Sequence, residues 1–117
     1  MNNLKRILFL FAITMASFSF GQAADEGPAG EATISSSFCV VLDADVAVTT
    51  LYRADASALG WASEAEAKKA CGFHSNNLVT YEQDFANNEI IIHIHTDRTS
   101  APQDIAWWNE YLDSLCK

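Results

Sequence analysis

The stretch LVTYEQDFANNEIIIHIHTD, residues 78–97, decides the fold of this chain. Polar and apolar residues alternate on both sides of Asn87 and Asn88, and alternation with a period of two is typical of half-buried strands. Asparagine tolerates the left-handed backbone conformation, so the pair suits a two-residue type I′ turn between antiparallel strands. The sequence therefore predicts a β-hairpin built from residues 78–85 and 89–97.

The predicted turn also sets the pairing of the two strands. On the apolar face it pairs Phe85 with Ile90, Gln83 with Ile92, and Tyr81 with Ile94. On the polar face it pairs Asp84 with Ile91, Glu82 with His93, and Thr80 with His95. A slip by one residue would turn the carboxylates into the core, so we expect the two faces to be firmly specified.

Two strands and one helix are predicted before the hairpin. Residues 33–42 are rich in β-branched and aromatic residues, which favours a strand, and residues 46–53 predict a second strand. Ser63 and Glu66 fit the capping box that begins a helix. Gly72 is expected to end that helix, because glycine is favoured just past a helix C-terminus.

A second helix is predicted after the hairpin. Ser100 and Gln103 fit another capping box, and the pattern continues to about residue 115. At about 100° per residue, one side of this helix carries an apolar stripe. The stripe consists of Ile105, Trp108, Leu112, Leu115 and Cys116. Trp107 falls outside the stripe, and Tyr111 lies at its margin.

The order of these elements predicts the fold class. Two helices that follow strands in this order are expected to cover one face of a sheet. We therefore expect an α+β fold, with an antiparallel sheet of three to four strands and two helices packed on one face. The segment from Tyr81 to Leu115 resembles the second half of a ferredoxin-like domain such as the heavy-metal-associated domain, which implies an incomplete ferredoxin-like arrangement. That family carries a CxxC metal loop after its first strand, whereas Asp43, Ala44 and Asp45 stand there in this chain.

The N-terminus has the order of features found in a secretory signal peptide. Lys5 and Arg6 precede an uncharged apolar run over residues 7–20, and Gly21 and Ala23 supply small residues for cleavage. The run is shorter than the roughly 20 residues that span a bilayer. We expect a signal peptide over residues 1–23, with cleavage after Gly21 as the alternative, and no membrane insertion after cleavage.

The rest of the chain is predicted to be exported to the periplasm or the extracellular space. Residues 24–32 form an expected flexible acidic leader, and residues 33–117 form a single small domain. The formal net charge is −8 for the whole chain, and it becomes more negative once the basic signal peptide is removed. Binding to nucleic acid needs a basic stripe, so nucleic acid is excluded as a partner.

Three cysteines remain in the predicted mature chain, and export favours one disulfide with one thiol left over. In a ferredoxin-like arrangement the last helix crosses the first strand. That placement predicts a disulfide between Cys39 and Cys116, with Cys71 as a buried free thiol. A bridge between Cys39 and Cys71 is the alternative.

The polar face of the hairpin carries a candidate metal site. Because alternate strand residues project the same way, His93 and His95 share one face with Glu82 and Asp84. Imidazole and carboxylate groups are ligands for Zn²⁺, Cu²⁺ or Ni²⁺. An ordinary solvated face with favourable cross-strand pairs is the other interpretation.

Trp107 and Tyr111 form a candidate partner contact, since they lie one helical turn apart and off the predicted core. Exposed aromatic side chains can mark a protein or sugar contact, and partial burial against a loop is the alternative. The sequence contains no GxSxG, HExxH or phosphate-binding glycine loop. We therefore expect a non-enzymatic binding or structural module with no cofactor and a protein or envelope partner. The alternative is a metal-binding or metal-delivery domain that takes a divalent transition metal.

Overall fold

The computed structural model describes residues 29–116. The predicted signal peptide and residues 24–28 of the predicted leader lie outside this range. In chain order the strands and helices are β1 (Gly30–Ile34), β2 (Val40–Leu42), β3 (Leu51–Asp55), α1 (Glu64–His74), β4 (Val79–Asp84), β5 (Glu89–Ile94) and α2 (Ile105–Leu115). Within the described range, no helix is both long and apolar enough to cross a membrane.

The strands form one five-stranded sheet in the order β2-β1-β3-β5-β4. The expected α+β class is confirmed, but the sheet is mixed and larger than the antiparallel sheet of three to four strands that was predicted. Strands β1 and β3 are parallel, and the other neighbours are antiparallel. The element order also differs from the β-α-β-β-α-β order of a ferredoxin-like domain, because three strands precede the first helix.

The extra strand arises because residues 33–42 fold as a hairpin and not as a single strand. The Ser35 Oγ accepts hydrogen bonds from the backbone N–H groups of Ser37 and Cys39, at 3.3 and 3.2 Å. Serine side chains offer the backbone an alternative to the strand ladder, which favours a turn here. Strand β1 begins at Gly30, three residues before the predicted start of the domain and inside the range predicted to be a flexible leader.

The predicted hairpin of residues 78–97 is present, but its loop is longer than predicted. A 3-10 turn spans Phe85–Asn87, and only Asn88 adopts a left-handed backbone, with φ of 55°. The register therefore moves by two residues, so that Tyr81 pairs with Ile92. A shift of two residues preserves which side chains share a face, so the predicted faces are correct and the predicted partners are wrong.

The two helices begin at side-chain caps. Ser63 caps α1 by accepting from the Glu66 N–H at 3.1 Å, as predicted, and the Glu66 carboxylate accepts from the Ala62 N–H at 2.6 Å. Gly72 does not end α1, because the helix continues to His74 and Ser75 caps it. The predicted cap of α2 at Ser100 is also wrong. Asp104 caps this helix by accepting from the Trp107 N–H at 2.9 Å.

One face of the sheet and both helices enclose a single core. Helix α1 contacts β4 and helix α2 contacts β2, at opposite ends of the sheet. The buried cluster consists of Ile34, Val40, Leu42, Tyr52, Ala54, Cys71, Val79, Ile90, Ile92, Ile94, Trp108 and Leu112. The other face, called the open face below, carries Glu31, Thr33, Val41, Arg53, Glu82, Asp84, Glu89, Ile91 and His93.

Side chains cap part of each edge of the sheet. At the β2 edge, the Asn109 side chain accepts from the Leu42 N–H at 2.8 Å and donates to the Leu42 carbonyl at 3.1 Å. At the β4 edge, the Asn76 side chain accepts from the Val79 N–H, and Ser75 accepts from the Tyr81 N–H. An uncovered edge strand is a template for pairing with another chain. These caps therefore protect the sheet from edge-to-edge association.

Replacing Asn109 with alanine should lower the free energy of unfolding by about 1–3 kcal/mol, because both polar groups of Leu42 lose their partner. Urea unfolding measures this loss, and hydrogen exchange should show a faster Leu42 amide. Asn109→Asp is the matched control, since a carboxylate still accepts from the Leu42 N–H but cannot donate to its carbonyl. An alanine variant as stable as the parent protein would contradict the capping role.

Candidate functional site

An ion-pair cluster lies on the open face, toward the loop that joins β4 and β5. The Arg53 guanidinium lies 3.2 Å from the Asp84 carboxylate and 2.8 Å from the Glu89 carboxylate. The pKa of Asp84 is lowered, first by a hydrogen bond from the Asn87 amide and then by Arg53. One positive charge is thus shared by two carboxylates of the same face, and the cluster keeps a net negative charge. Asp84, one of the four predicted metal ligands, is held by Arg53 and Asn87.

The other predicted metal ligands form pairwise contacts. His93 Nε2 lies 3.2 Å from the Glu82 carboxylate, although the shifted register places Thr80 directly across from His93. His95 Nε2 lies 3.1 Å from the Thr80 hydroxyl, and its pKa is lowered, first by desolvation. Among residues 29–116, no group of three or more His, Cys, Asp or Glu side chains is placed to hold a metal ion. The structure brings Glu82 and His93 together and leaves the four residues without a shared centre.

The Trp107 and Tyr111 rings stack face to face, with centroids 5.6 Å apart and planes 6° from parallel. Trp107 also meets the buried Trp108 edge-on at 5.0 Å. Both rings are half-buried and pack against the core cluster. The Tyr111 hydroxyl lies 3.4 Å from the Asn76 side-chain oxygen, which connects this aromatic pair to the next feature.

A groove that the sequence did not reveal lies between the C-terminal ends of the two helices. Its volume is about 230 Å³, and we call it the helix-end groove. The residues that line it include Phe38, Phe73, His74, Tyr81, Leu115 and Cys116. Phe73 is 82% exposed and Leu115 is 46% exposed. Two of the largest exposed apolar side chains of the described residues therefore meet at one concave surface.

Phe38 forms one wall of the groove from an unfavourable backbone conformation. Its φ is 64°, in the left-handed region where this kind of hairpin loop usually has glycine. A bulky residue there costs on the order of 1–2 kcal/mol. In return the Phe38 ring stacks on His74 at 3.8 Å and meets Tyr81 edge-on at 5.0 Å. A residue that keeps an unfavourable backbone conformation is a candidate for a functional role.

The disulfide adjoins the groove. Cys39 and Cys116 lie at disulfide distance, with Cα atoms 5.3 Å apart and a sequence separation of 77 residues. The predicted pairing is confirmed, although Cys39 lies in the loop before β2 and not within a strand. Cys71 is a buried free thiol, as predicted, and burial raises its pKa to about 11. The bridge fastens the loop that carries Phe38 to the end of α2.

The ionisable groups of the groove are uncharged at neutral pH. Partial burial lowers the pKa of His74 below its ordinary value of 6.5, so its imidazole is neutral at pH 7. Burial raises the pKa of Tyr81 to about 12, so its phenol stays protonated. The groove therefore combines aromatic and apolar side chains with uncharged polar ones, on a protein whose net charge is negative.

A wider depression of about 420 Å³ lies on the open side of the sheet, beside His93 and His95. Both imidazoles already contact neighbouring side chains there. The exposed large apolar side chains of the described range are Val41, Val46, Phe73 and Leu115, and none of them lines this depression. The helix-end groove is therefore the stronger candidate site.

No family model, curated protein or solved structure matches this chain. A fold by itself does not imply a function, because unrelated activities occur on the same architecture. The function is therefore argued from the chemistry of the groove and of the surface around it.

Proposed function

We propose that this chain is a small exported, non-enzymatic module that binds a protein partner in the helix-end groove. The observation that carries the proposal is the exposure of Phe73 and Leu115 at the rim of one concave surface. Apolar surface gathered in this way and bordered by polar residues marks interaction sites. Ser37 and Asn76 provide such a polar border.

The stacked Trp107 and Tyr111 rings extend the proposed contact surface. Tyr111 reaches the groove through Asn76, which lines it. Tryptophan and tyrosine are enriched among the residues that carry binding energy at interfaces. The aromatic pair predicted from the sequence then forms the outer part of one continuous surface.

Export to the periplasm or the extracellular space is part of the same proposal. A disulfide and the lack of a membrane-spanning helix within residues 29–116 are compatible with an exported protein. Disulfides persist in oxidising compartments and are rare in the cytosol. The predicted signal peptide over residues 1–23 would supply the route.

Site-specific photo-crosslinking in the producing cell tests the proposal. A photoreactive residue in place of Ser37, at the groove, should yield a defined protein adduct that mass spectrometry identifies. The adduct should disappear when Phe73→Ser is added, because that change removes the most exposed apolar side chain of the groove. The matched control places the probe at Val41, which is 56% exposed on the open face. Adducts from Val41 alone, or from neither position, would refute the proposal.

Metal binding by the hairpin is the second candidate function. The contact between His93 and Glu82 favours it, but structural zinc sites have four ligands and catalytic sites have three plus a water. We expect calorimetric titration of the exported protein with Zn²⁺ at neutral pH to show no binding tighter than millimolar. Micromolar binding that is lost in His93→Ala would reverse this ranking.

A further inference from the structure

The helix-end groove has the size of an anchor site for one side chain. Its volume of about 230 Å³ lies below the roughly 300–1,000 Å³ of typical small-molecule pockets. Interfaces between proteins concentrate their binding energy in a few large side chains that fill pockets of this kind. The size therefore favours a protein segment with one anchoring residue.

Two polar side chains of the groove, Asn76 and Ser75, are already engaged by the backbone. The Asn76 side-chain oxygen accepts from the N–H groups of Leu78 and Val79, at 2.8 and 3.0 Å. The Ser75 hydroxyl donates to the Cys71 carbonyl and accepts from the Tyr81 N–H. A sugar or another polyhydroxyl ligand needs many hydrogen-bonding partners. The exposed side chains of Phe73 and Leu115 instead offer apolar surface, which favours an apolar anchor.

Strand addition is disfavoured as the binding mode, since side chains already cap part of each edge of the sheet. Asn109 engages Leu42 at the edge of β2, and Asn76 and Ser75 engage the first part of the β4 edge. Partners that add a strand draw their affinity from main-chain hydrogen bonds along a free edge. Recognition here depends on the anchor side chain and on the charge of its surroundings.

The negative net charge of the chain favours basic residues on both sides of the anchoring side chain. The formal net charge is −8, and Arg53, one of the few basic residues, is held between two carboxylates. Complementary charge speeds association and suppresses wrong partners, whereas like charge opposes binding. A second copy of this acidic chain is disfavoured on the same ground.

From these observations we infer that the groove binds a basic protein segment that inserts one large apolar side chain between Phe73 and Leu115. This inference rests on the proposed function and adds the chemistry of the partner. Phe38 is the wall against which the anchor packs, and the disulfide keeps its loop in place.

Selection from a random peptide library displayed on phage, against the disulfide-bonded exported protein, tests the inference. The selected peptides should carry one Trp, Phe, Leu or Met with Lys or Arg on both sides. A synthetic peptide of the selected sequence should bind at least tenfold more weakly when its anchor is alanine. The same loss is expected when its basic residues are replaced by glutamate.

Substitutions in the protein test whether the selected peptide binds in the helix-end groove. Phe73→Ser should weaken peptide binding at least tenfold, and Val41→Ser on the open face should leave it unchanged. Phe38→Gly removes the wall while suiting the left-handed backbone, so the variant should stay folded by circular dichroism and lose peptide binding at least tenfold.

Selection of acidic or uncharged peptides, selection of none, or binding that is unaffected by Phe73→Ser would each overturn the inference. The photo-crosslinking experiment separates this failure from failure of the proposed function. A groove-dependent adduct together with acidic peptides leaves the binding module in place and rejects only the basic partner. Failure of the Ser37 probe to form any adduct in the otherwise unaltered protein rejects the module itself.

Discussion

Replacing Trp108 with alanine should lower the free energy of unfolding by about 3–5 kcal/mol, the range for truncating a large buried aromatic side chain. Trp108 is fully buried and is the largest side chain of the core. The cavity left behind would lie where helix α2 meets the sheet. Total stability is about 5–15 kcal/mol for an ordinary domain, so the variant should be close to unfolding at room temperature.

Urea unfolding followed by circular dichroism measures this loss, with Trp107→Ala as the matched control one residue away. Trp107 is half-buried and contacts Trp108 and Tyr111 through its ring. Aromatic pairs of this kind contribute about 0.5–1.5 kcal/mol each beyond area burial, and truncating a half-buried ring leaves a smaller cavity, so the Trp107 variant should lose less stability than the Trp108 variant. Equal losses for the two variants would place Trp107 in the core.

The indole N–H of Trp108 gives a further comparison. This group is buried and has no hydrogen-bond partner within residues 29–116. An unpartnered buried donor costs about 1–3 kcal/mol, and phenylalanine would remove that cost while retaining most of the ring. Trp108→Phe should therefore be much more stable than Trp108→Ala.

Features that depend on periodicity could be predicted from the sequence. The alternation in residues 78–97 identified the hairpin and its two faces, because a period of two assigns every side chain to one face. The stripe on the last helix correctly placed Trp108 and Leu112 in the core. Ser63 with Glu66 identified the start of α1, because those two side chains act on backbone groups close in sequence.

Other features could not be predicted from the sequence, because they depend on competition between alternative local hydrogen bonds or on contacts between residues far apart in sequence. Residues 33–42 carry strand-forming residues throughout, and the turn within them depends on hydrogen bonds of the Ser35 hydroxyl. The hairpin register depended on which residues would adopt a left-handed backbone, and only Asn88 does so in that loop. The β2 edge is capped by Asn109, which lies 67 residues from Leu42 in sequence.

The helix-end groove was missed for the same reason. Phe38 lies within residues 33–42, which the sequence predicts to form one strand without deciding which face of that strand points to the core. Phe73 was expected to follow the end of α1, whereas the helix continues past it to His74. Only the turn at Ser35 and the extra helical residues bring these rings together. The sequence predicted the disulfide next to them and not the surface that it supports.

Loss of the disulfide between Cys39 and Cys116 should also lower the free energy of unfolding by a large amount. Removing a native disulfide from a small secreted domain typically costs about 2–5 kcal/mol. The loop that this bridge closes is long, with a sequence separation of 77 residues. In the chain-entropy account a loop of this size gives about 4–5 kcal/mol, because the bridge restricts the unfolded chain. The bridge also ties the loop before β2 to the end of α2, so its loss frees both walls of the groove.

Urea unfolding of Cys39→Ser with Cys116→Ser, with and without a thiol reductant, tests this expectation. The reductant should destabilise the parent protein by as much as the double substitution and should leave the double variant unchanged. Cys71→Ala is the control, since this thiol is buried and free and the variant should still respond to the reductant. A parent protein whose unfolding midpoint does not move on reduction would show that the bridge contributes no stability. If stability falls while peptide binding in the groove persists, the bridge supports the fold alone and does not position Phe38.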